Sequence, residues 1–509
     1  MNDLFFDRIG NWNPQLLREL KGKWKLRTIG VAVAVPLLAC ILLFFYQWQR
    51  MPGNCQELGC AQSWQEWWLE PFRLLHWLIP IGLLGLGSFN LIIDLTQEND
   101  RGTLSFIRLS PRSSWTIFWG KIMGVPILTY VSILVLVPIH IISGVMGGVP
   151  GTFFVSYYIL LLGFAFLVFS AAIIFSLLGS SGVKTAGIQA YGGAIFFVFL
   201  TLILIVPLFW NWNLFTTWFD DWRWIMDDNP PLNDRSSVYW WYMALTGNSW
   251  LAHGFTIGNL IIASWIIWQI LKRRFHHPNS IIISKGLSYI CSAYLEIFIL
   301  GFFFNPHVVV STSEMQFSIN FLYVVNFLLF LALAPACTPQ SSGIQEWLNY
   351  RNPANLIMDL LWFDKSPSVG SIVINLVITQ SLVIAYLFIS LQNNTSLIYG
   401  LLVTVLLIFQ WLFYGLLYQV LLLLPFKKPS LWAVSTLTSL MFVPLIAMTV
   451  IGLYPHKARA LWLMIAGVWS AIAFDDSVND FLVAYLGLLG AIGLCSFFLW
   501  QRLAKLRVA

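Results

Sequence analysis

Few residues in this chain are placed to do chemistry. The sharpest is Glu296, a lone carboxyl near the middle of the apolar run SYICSAYLEIFILGFFF. Charge is costly in apolar surroundings. Such a residue marks either a protonated or hydrogen-bonded contact between helices, or a site on a path for ions or other cargo. His76, His140 and His253 lie in comparable runs and are expected to make packing contacts. Cys55 and Cys60 share the short polar stretch NCQELGC. They form a disulfide if that stretch meets an oxidising compartment, and otherwise stand as two free thiols. Cys40, Cys291 and Cys495 lie in apolar runs and behave as small hydrophobes. A phosphate-binding loop needs Gly-x4-Gly-Lys-Ser/Thr. The nearest approach, Gly179–Thr185 (GSSGVKT), puts Val183 between Gly182 and Lys184 and follows no strand. No nucleophile elbow, HExxH or paired-carboxylate arrangement stands out, and no spacing suits zinc. The chain is therefore not expected to be an enzyme, to bind a metal or to carry its own nucleotide.

The elements that must position these residues are membrane helices. Of 509 residues, 58% are hydrophobic and only 10% are charged, too little charge to cover a soluble surface of this size. A crossing helix needs about 20 mostly apolar residues. Runs of that kind fall near 26–48, 71–94, 115–145, 153–178, 185–209 and 250–271, then 285–304, 316–336, 369–391, 397–425, 431–453 and 481–500. The run 461–474 is too short to cross and reads as an interfacial or re-entrant piece. The expected fold is all-α and polytopic, with about twelve spans. Charge flanks the N-terminus without a short apolar core and cleavage site, so no cleavable signal is expected.

Lys and Arg set the orientation. With the N-terminus inside, 22 of the 28 fall on the inner side, including Arg18, Arg101, Arg108, Lys121, Lys272–Arg274, Lys285, Lys365, Lys427 and Lys428. An even number of spans then puts both termini in the cytoplasm, and the basic tail QRLAKLR agrees. The net charge of +6 sits at helix ends, so no nucleic-acid partner is expected. Ahead of the first span, Asn13-Pro14 suits a helix start. Leu16, Leu17, Leu20 and Trp24 can share one face of that helix, with Arg18, Lys21, Lys23 and Lys25 around it. It reads as a basic amphipathic helix on an anionic lipid surface, compatible with being the positive flank of the first span. On the outer side, the segment 210–250 is rich in Trp and Asp. It reads as a solvated acidic loop over an aromatic belt, with a metal site the less economical alternative.

Six spans followed by six invites a search for duplication. Ser110-Pro111 and Ser366-Pro367 are 256 residues apart, and the same offset sets Leu104 on Leu360 and Phe106 on Trp362. Each Ser-Pro joins an amphipathic piece to the next span. The expected domains are 1–276 and 277–509, two parallel six-helix repeats related about the membrane normal. The first carries the polar segment 96–113 and the second the loop 337–368 with Trp362, Lys365, Ser366 and Pro367.

The stretch NPQLLRELKGKWKLR before the first span, and ENDRGTLSFIRLSPRSSWTIFWGK after the second, resemble ABC-2-type transporter permeases. The likeness spans about residues 10–275. Glu98, Gly102, Thr103, Leu104, Ser110, Pro111, Gly120 and Lys121 match that family's pattern, whereas the Glu-x-x-x-Gly-Thr run is absent from the second half. The resemblance implies an elbow helix carrying Pro14, Leu17, Arg18, Glu19 and Leu20. It also implies a coupling helix that docks on a separate ATPase subunit. Glu98, Asp100 and Arg101 would bring charge, Leu104, Phe106, Ile107 and Leu109 apolar contact, and Pro111 would end the helix. A plain intracellular loop is the alternative.

The expectation is thus a permease subunit of an ABC-type exporter in a bacterial-type plasma (inner) membrane. Its partners are nucleotide-binding subunits, which hold ATP and Mg, and membrane lipids. A non-transporting scaffold or regulator on the same fold is the alternative, and a membrane enzyme using Glu296 or the acidic loop the third. Small-residue rows at Gly82, Gly85, Gly87 and at Gly187, Gly192, Gly193 suit close helix packing.

Overall fold

The computed structural model describes residues 2–52, 63–179, 186–206, 208–209, 239–245, 249–278, 280–303, 312–350, 355–391, 394–467 and 478–508. Cys55, Cys60, Asp475 and residues 210–238 of the acidic segment lie outside them. Described regular structure is almost wholly helical. The helices are α1 Asn2–Trp12, α2 Pro14–Lys23, α3 Leu26–Trp48, α4 Trp64–Pro80, α5 Gly87–Asp100, α6 Thr103–Arg108, α7 Ser114–Gly124, α8 Ile127–Met146, α9 Gly151–Gly179 and α10 Ala186–Leu200. They continue as α11 Ser249–His276, α12 Lys285–Phe303, α13 Thr312–Cys337, α14 Ser341–Tyr350, α15 Leu356–Trp362, α16 Val369–Ser390, α17 Asn394–Leu422, α18 Pro429–Ile451, α19 Arg459–Ala466 and α20 Val478–Val508. A π-helical segment, Ile81–Leu86, joins α4 to α5, and another, Thr201–Ile205, prolongs α10.

Among the described residues, eleven helical stretches are long and apolar enough to cross a membrane. They are α3, the joined α4–α5, α8, α9, α11, α12, α13, α16, α17, α18 and α20. The shorter apolar helix Tyr191–Ile205 falls in the remaining expected span, 185–209. This is an all-α protein with the architecture of a multi-pass membrane protein. Many apolar side chains on these helices, such as Val35, Ile41, Val377 and Val450, face outward, as lipid-facing surfaces require. The expected span 115–145 is not one helix. It breaks at Val125-Pro126 into α7 and α8, because Pro126 has no N–H to continue the ladder. The expected interfacial run 461–474 contributes α19, eight residues long, and its remainder from 468 lies outside the described residues.

The chain divides into two compact units, residues 1–238 with 244–278, and 239–243 with 279–509. In the first, α3 and α4 pack on α8, α5 on α9 and α10, and α9 on α11. Its core is aromatic. Phe72 stacks on His140 at 4.9 Å, and Phe153 and Tyr157 surround His76. His140 Nδ1 meets the Tyr158 hydroxyl at 2.8 Å, while Tyr157 donates to the His76 carbonyl at 2.9 Å. His253 Nε2 meets Ser156 Oγ at 2.5 Å. All three histidines therefore sit in packing contacts. Gly87 has room for no side chain, since a Cβ there would lie 2.4 Å from Phe169. In the second unit α12 packs on α16, α13 on α17, and α17 on α16, α18 and α20. Its centre is Trp411, flanked by Phe327 and Phe330.

A second close approach in the first core is testable. A Cβ on Gly144 would lie 2.5 Å from the Phe154 ring and 2.7 Å from Phe72. Gly144→Ala should therefore cost about 1–3 kcal/mol through overpacking. Gly151→Ala, which meets nothing within 4 Å, should leave thermal unfolding in detergent unchanged.

Candidate functional site

The polar segment 96–113 folds as the last turn of α5, a bend at Gly102, the short helix α6 and a turn into α7. Gly102 adopts φ 74°, a left-handed conformation that suits glycine. Thr103 Oγ1 ties α6 back to the Glu98 carbonyl at 3.0 Å. Leu104 and Ile107 point inward and are buried. Phe106 and Leu109 point outward and are 78% and 85% exposed. Arg101, Gly102, Thr103 and Pro111 are also exposed. Helix α6 ends at Arg108, whose guanidinium lies over the Phe275 ring. Ser110 Oγ donates to the Ile107 carbonyl at 2.7 Å. Pro111 lies just beyond that end, so the helix closes ahead of the proline.

Beneath this segment α2 docks against α7. Asn13 caps α2, accepting from Leu16 N at 3.1 Å, and donates from Nδ2 to the Thr116 carbonyl at 2.8 Å. Pro14 follows at the first helical position. The sequence pattern sets Leu16, Leu17, Leu20 and Trp24 on one face, toward a lipid surface. The observed face is Gln15, Leu16, Glu19 and Leu20, with Leu17 half-buried and Trp24 45% exposed. The physical reason is a protein surface, not lipid, on that face. Gly120 and Gly124 of α7 let the two backbones meet. A Cβ on Gly120 would lie 2.8 Å from Leu16 N, and one on Gly124 2.6 Å from Glu19 Cβ.

That approach buries an ionic clasp. Lys121 is 1% exposed, and its ammonium donates to Glu19 Oε1 at 2.8 Å and to Asp94 Oδ2 at 2.5 Å. It also sits 2.8 Å from Glu98 Oε2. Arg18 pairs with Glu98 and, at 3.1 Å, with Glu19. Lys23 lies 3.9 Å from Asp94 and donates to the Val125 carbonyl at 2.9 Å. Three cations thus meet three carboxylates. Oxygens of Glu19, Asp94 and Glu98 lie within 4.8 Å of one another, and the Lys121 ammonium takes the place a metal ion would need. Burial alone would push the Glu19 carboxyl up, but Lys121 and then Arg18 hold it below its ordinary range. Burial would pull Lys121 down, but Asp94, Glu19 and Glu98 hold it above its ordinary range. Burial dominates for Lys23, which is lowered despite Asp94. The motif positions Glu98, Gly120 and Lys121 thus come together. Glu98 is turned inward, onto the clasp.

The second unit treats its Ser-Pro turn differently. Lys285, at the start of α12, is fully buried, and its ammonium donates to the Leu360 carbonyl at 2.7 Å, Ser366 Oγ at 2.6 Å and the Pro367 carbonyl at 3.0 Å. Ser366 and Pro367 are buried with it. Trp362 is exposed and stands edge-on to Tyr289, and Lys365 pairs with Glu346 of α14. Glu346 and Lys285 escape a reading of the sequence because each acts on a partner far away in the chain. Glu296 is wholly buried and accepts from Asn326. Comparison with known proteins finds no matching family model, no similar curated protein and no similar solved structure.

The clasp sets two expected outcomes. Lys121→Met leaves three carboxylates facing one another without their central cation and should destabilise by about 3–5 kcal/mol. It should also open the α2–α7 junction to trypsin at Lys23 and Lys25. The pH response follows from the signs. Glu19 is lowered, so its contribution is complete above the ordinary carboxylate pKa of about 4.3 and fades as pH falls through the lowered value. Lys121 is raised, so its contribution is complete below about 10.4 and fades only at higher pH. The clasp's contribution to melting temperature, read as the difference between the wild-type chain and Lys121→Met, should therefore be constant across neutral pH and shrink below about pH 4.

Proposed function

We propose that the chain is the membrane-embedded permease subunit of an ABC-type exporter. In this reading α6 is the coupling helix that meets a separate nucleotide-binding subunit, which supplies ATP, Mg and hydrolysis. The observation that carries it is one arrangement: two exposed apolar side chains, Phe106 and Leu109, on a short helix and its end. That helix follows directly on the α5 turn whose Glu98 enters the ionic clasp. A push on α6 reaches α5, α7 and the elbow helix α2 together, because Lys121 and Glu98 bind them at one point.

Two further features support this reading. Within each unit the first and third, second and fourth, and fourth and sixth spans pack together, in keeping with two parallel six-span repeats. The Lys and Arg distribution favours both termini and both Ser-Pro turns on the cytoplasmic side of a bacterial-type inner membrane. A scaffold role has one observation in its favour: Lys285 locks the second Ser-Pro turn from within. A short helix, α15, also precedes that turn and exposes Ile357, Met358 and Trp362, but the Glu-x-x-x-Gly-Thr run is absent there and the turn is locked, so coupling on this reading is asymmetric, with α6 the main contact. For the cargo, an aromatic cavity of about 580 Å³ lined by Trp115, Phe166, Trp265 and Trp268 suits an amphipathic molecule.

Phe106→Asp combined with Leu109→Asp should leave thermal stability within about 0.5 kcal/mol, since both side chains are at the surface. The same variant should lower co-purification of an ATPase subunit at least tenfold, about 1.4 kcal/mol of binding. An intact membrane complex without any nucleotide-binding subunit would refute the proposal. Stimulation of partner ATPase activity by the reconstituted chain would exclude the scaffold reading.

A further inference from the structure

The second unit contains a buried polar ladder that coupling does not use. Ser288, Ser292 and Glu296 recur at one-turn spacing along α12, and all three are wholly buried. Ser371, Asn375 and Thr379 do the same along α16. The two stripes are hydrogen-bonded. Ser292 Oγ donates to Asn375 Oδ1 at 2.8 Å, Asn375 Nδ2 donates to Ser288 Oγ at 2.9 Å, and Ser288 Oγ donates to the Lys285 carbonyl at 2.7 Å. This chain runs from the first turn of α12 to Ser292, one turn short of Glu296.

Glu296 itself is thinly supplied. Among the described residues its two oxygens share a single donor, Asn326 Nδ2 on α13, 3.2 Å from each. The same nitrogen also reaches the Leu322 carbonyl at 3.0 Å. Asn326 Oδ1 accepts from Gln380 Nε2 at 3.2 Å. Gln380 Oε1 is buried and has no donor among the described residues. Among the described residues no Lys, Arg or His pairs with Glu296. An unpaired carboxylate at such depth costs several kcal/mol, and a single shared amide donor does not offset that. A proton removes the charge and adds the donor that the network lacks.

The surrounding titratable groups leave this carboxyl alone. On α12 itself Lys285 is eleven residues away, about 16 Å along the helix, and Tyr289, Cys291 and Tyr294 are neutral at pH 7. Asp359 and Asp364, from α15 and the turn after it, lie at the Lys285 end. Helix α13 brings Tyr323 and Cys337, with Glu314 in its first turn. Helix α16 brings only Tyr386, and Tyr239 belongs to the short strand packed on α12.

We propose that Glu296, with Asn326 and Gln380, is an exchangeable proton-binding site, set one turn beyond the inner end of the Ser288–Asn375–Ser292 ladder. On release the carboxyl O–H bond breaks, its electron pair stays on the carboxylate, and the proton passes to a water molecule. Infrared difference spectra of the full chain in lipid vesicles, recorded against pH, test this. The expected result is a protonated-carboxyl band that disappears as pH rises, shifts in D₂O and is missing in Glu296→Gln. Asn326→Ala should move its midpoint. If Glu296→Gln fails to fold, labelling of wild-type protein by dicyclohexylcarbodiimide and peptide mapping supplies the assignment, with yield falling as pH rises. A band insensitive to both pH and D₂O would make Glu296 a fixed structural contact and overturn the proposal. So would suppression of labelling by Na⁺ at constant pH, which would mark a metal-cation site instead.

Discussion

A buried ammonium must be answered, and the answer given to Lys121 organises the first unit. Glu19 comes from the elbow helix, Asp94 and Glu98 from the end of α5, and Lys121 from α7. Each carboxylate is acceptable there only because the ammonium is present, and the ammonium only because they are. The approach of α2 to α7 is equally conditional. Gly120 and Gly124 permit the contact, and Asn13 fixes where α2 begins. Glycine flatness, a helix cap and a charge balance thus serve one junction, and α6 follows directly from it.

The second unit solves the same problem with other groups. Lys285 is surrounded by two backbone carbonyls and a serine hydroxyl. Neutral acceptors satisfy its donors without neutralising its charge, and Asp364 supplies the nearby negative group, accepting from the Lys285 backbone N–H at 3.1 Å. The lysine is tied to the chain itself at a turn. One lysine joins three helices through side chains, while the other closes a loop through its backbone. A clasp of side chains can shift as its helices shift. A lysine bound to carbonyls of a single turn holds that turn's shape.

Much of the helical architecture was legible in the sequence, because a run of about 20 apolar residues has few alternatives to a spanning helix. The helix start at Asn13-Pro14 was legible because a cap and a proline act locally. What was not legible depends on distant pairs. Glu19 and Lys121 are 102 residues apart, and nothing in PQLLRELKGK says that its carboxylate points into protein. Pro126 was visible, but so were Pro36 and Pro138, which lie inside α3 and α8 without ending them. Glu296 stood out as a lone acid, whereas its partners Asn326 and Gln380 come from two other helices. Spacing along one helix reveals a stripe, and only the fold reveals what the stripe faces.

The charge count of the clasp has an electrical consequence. Arg18, Lys23 and Lys121 balance Glu19, Asp94 and Glu98, so the junction is neutral as a body. Carrying one elementary charge through the full membrane potential is worth about 2.3 kcal/mol per 100 mV. The six groups of the clasp, displaced together along the membrane normal, transfer no net charge among them.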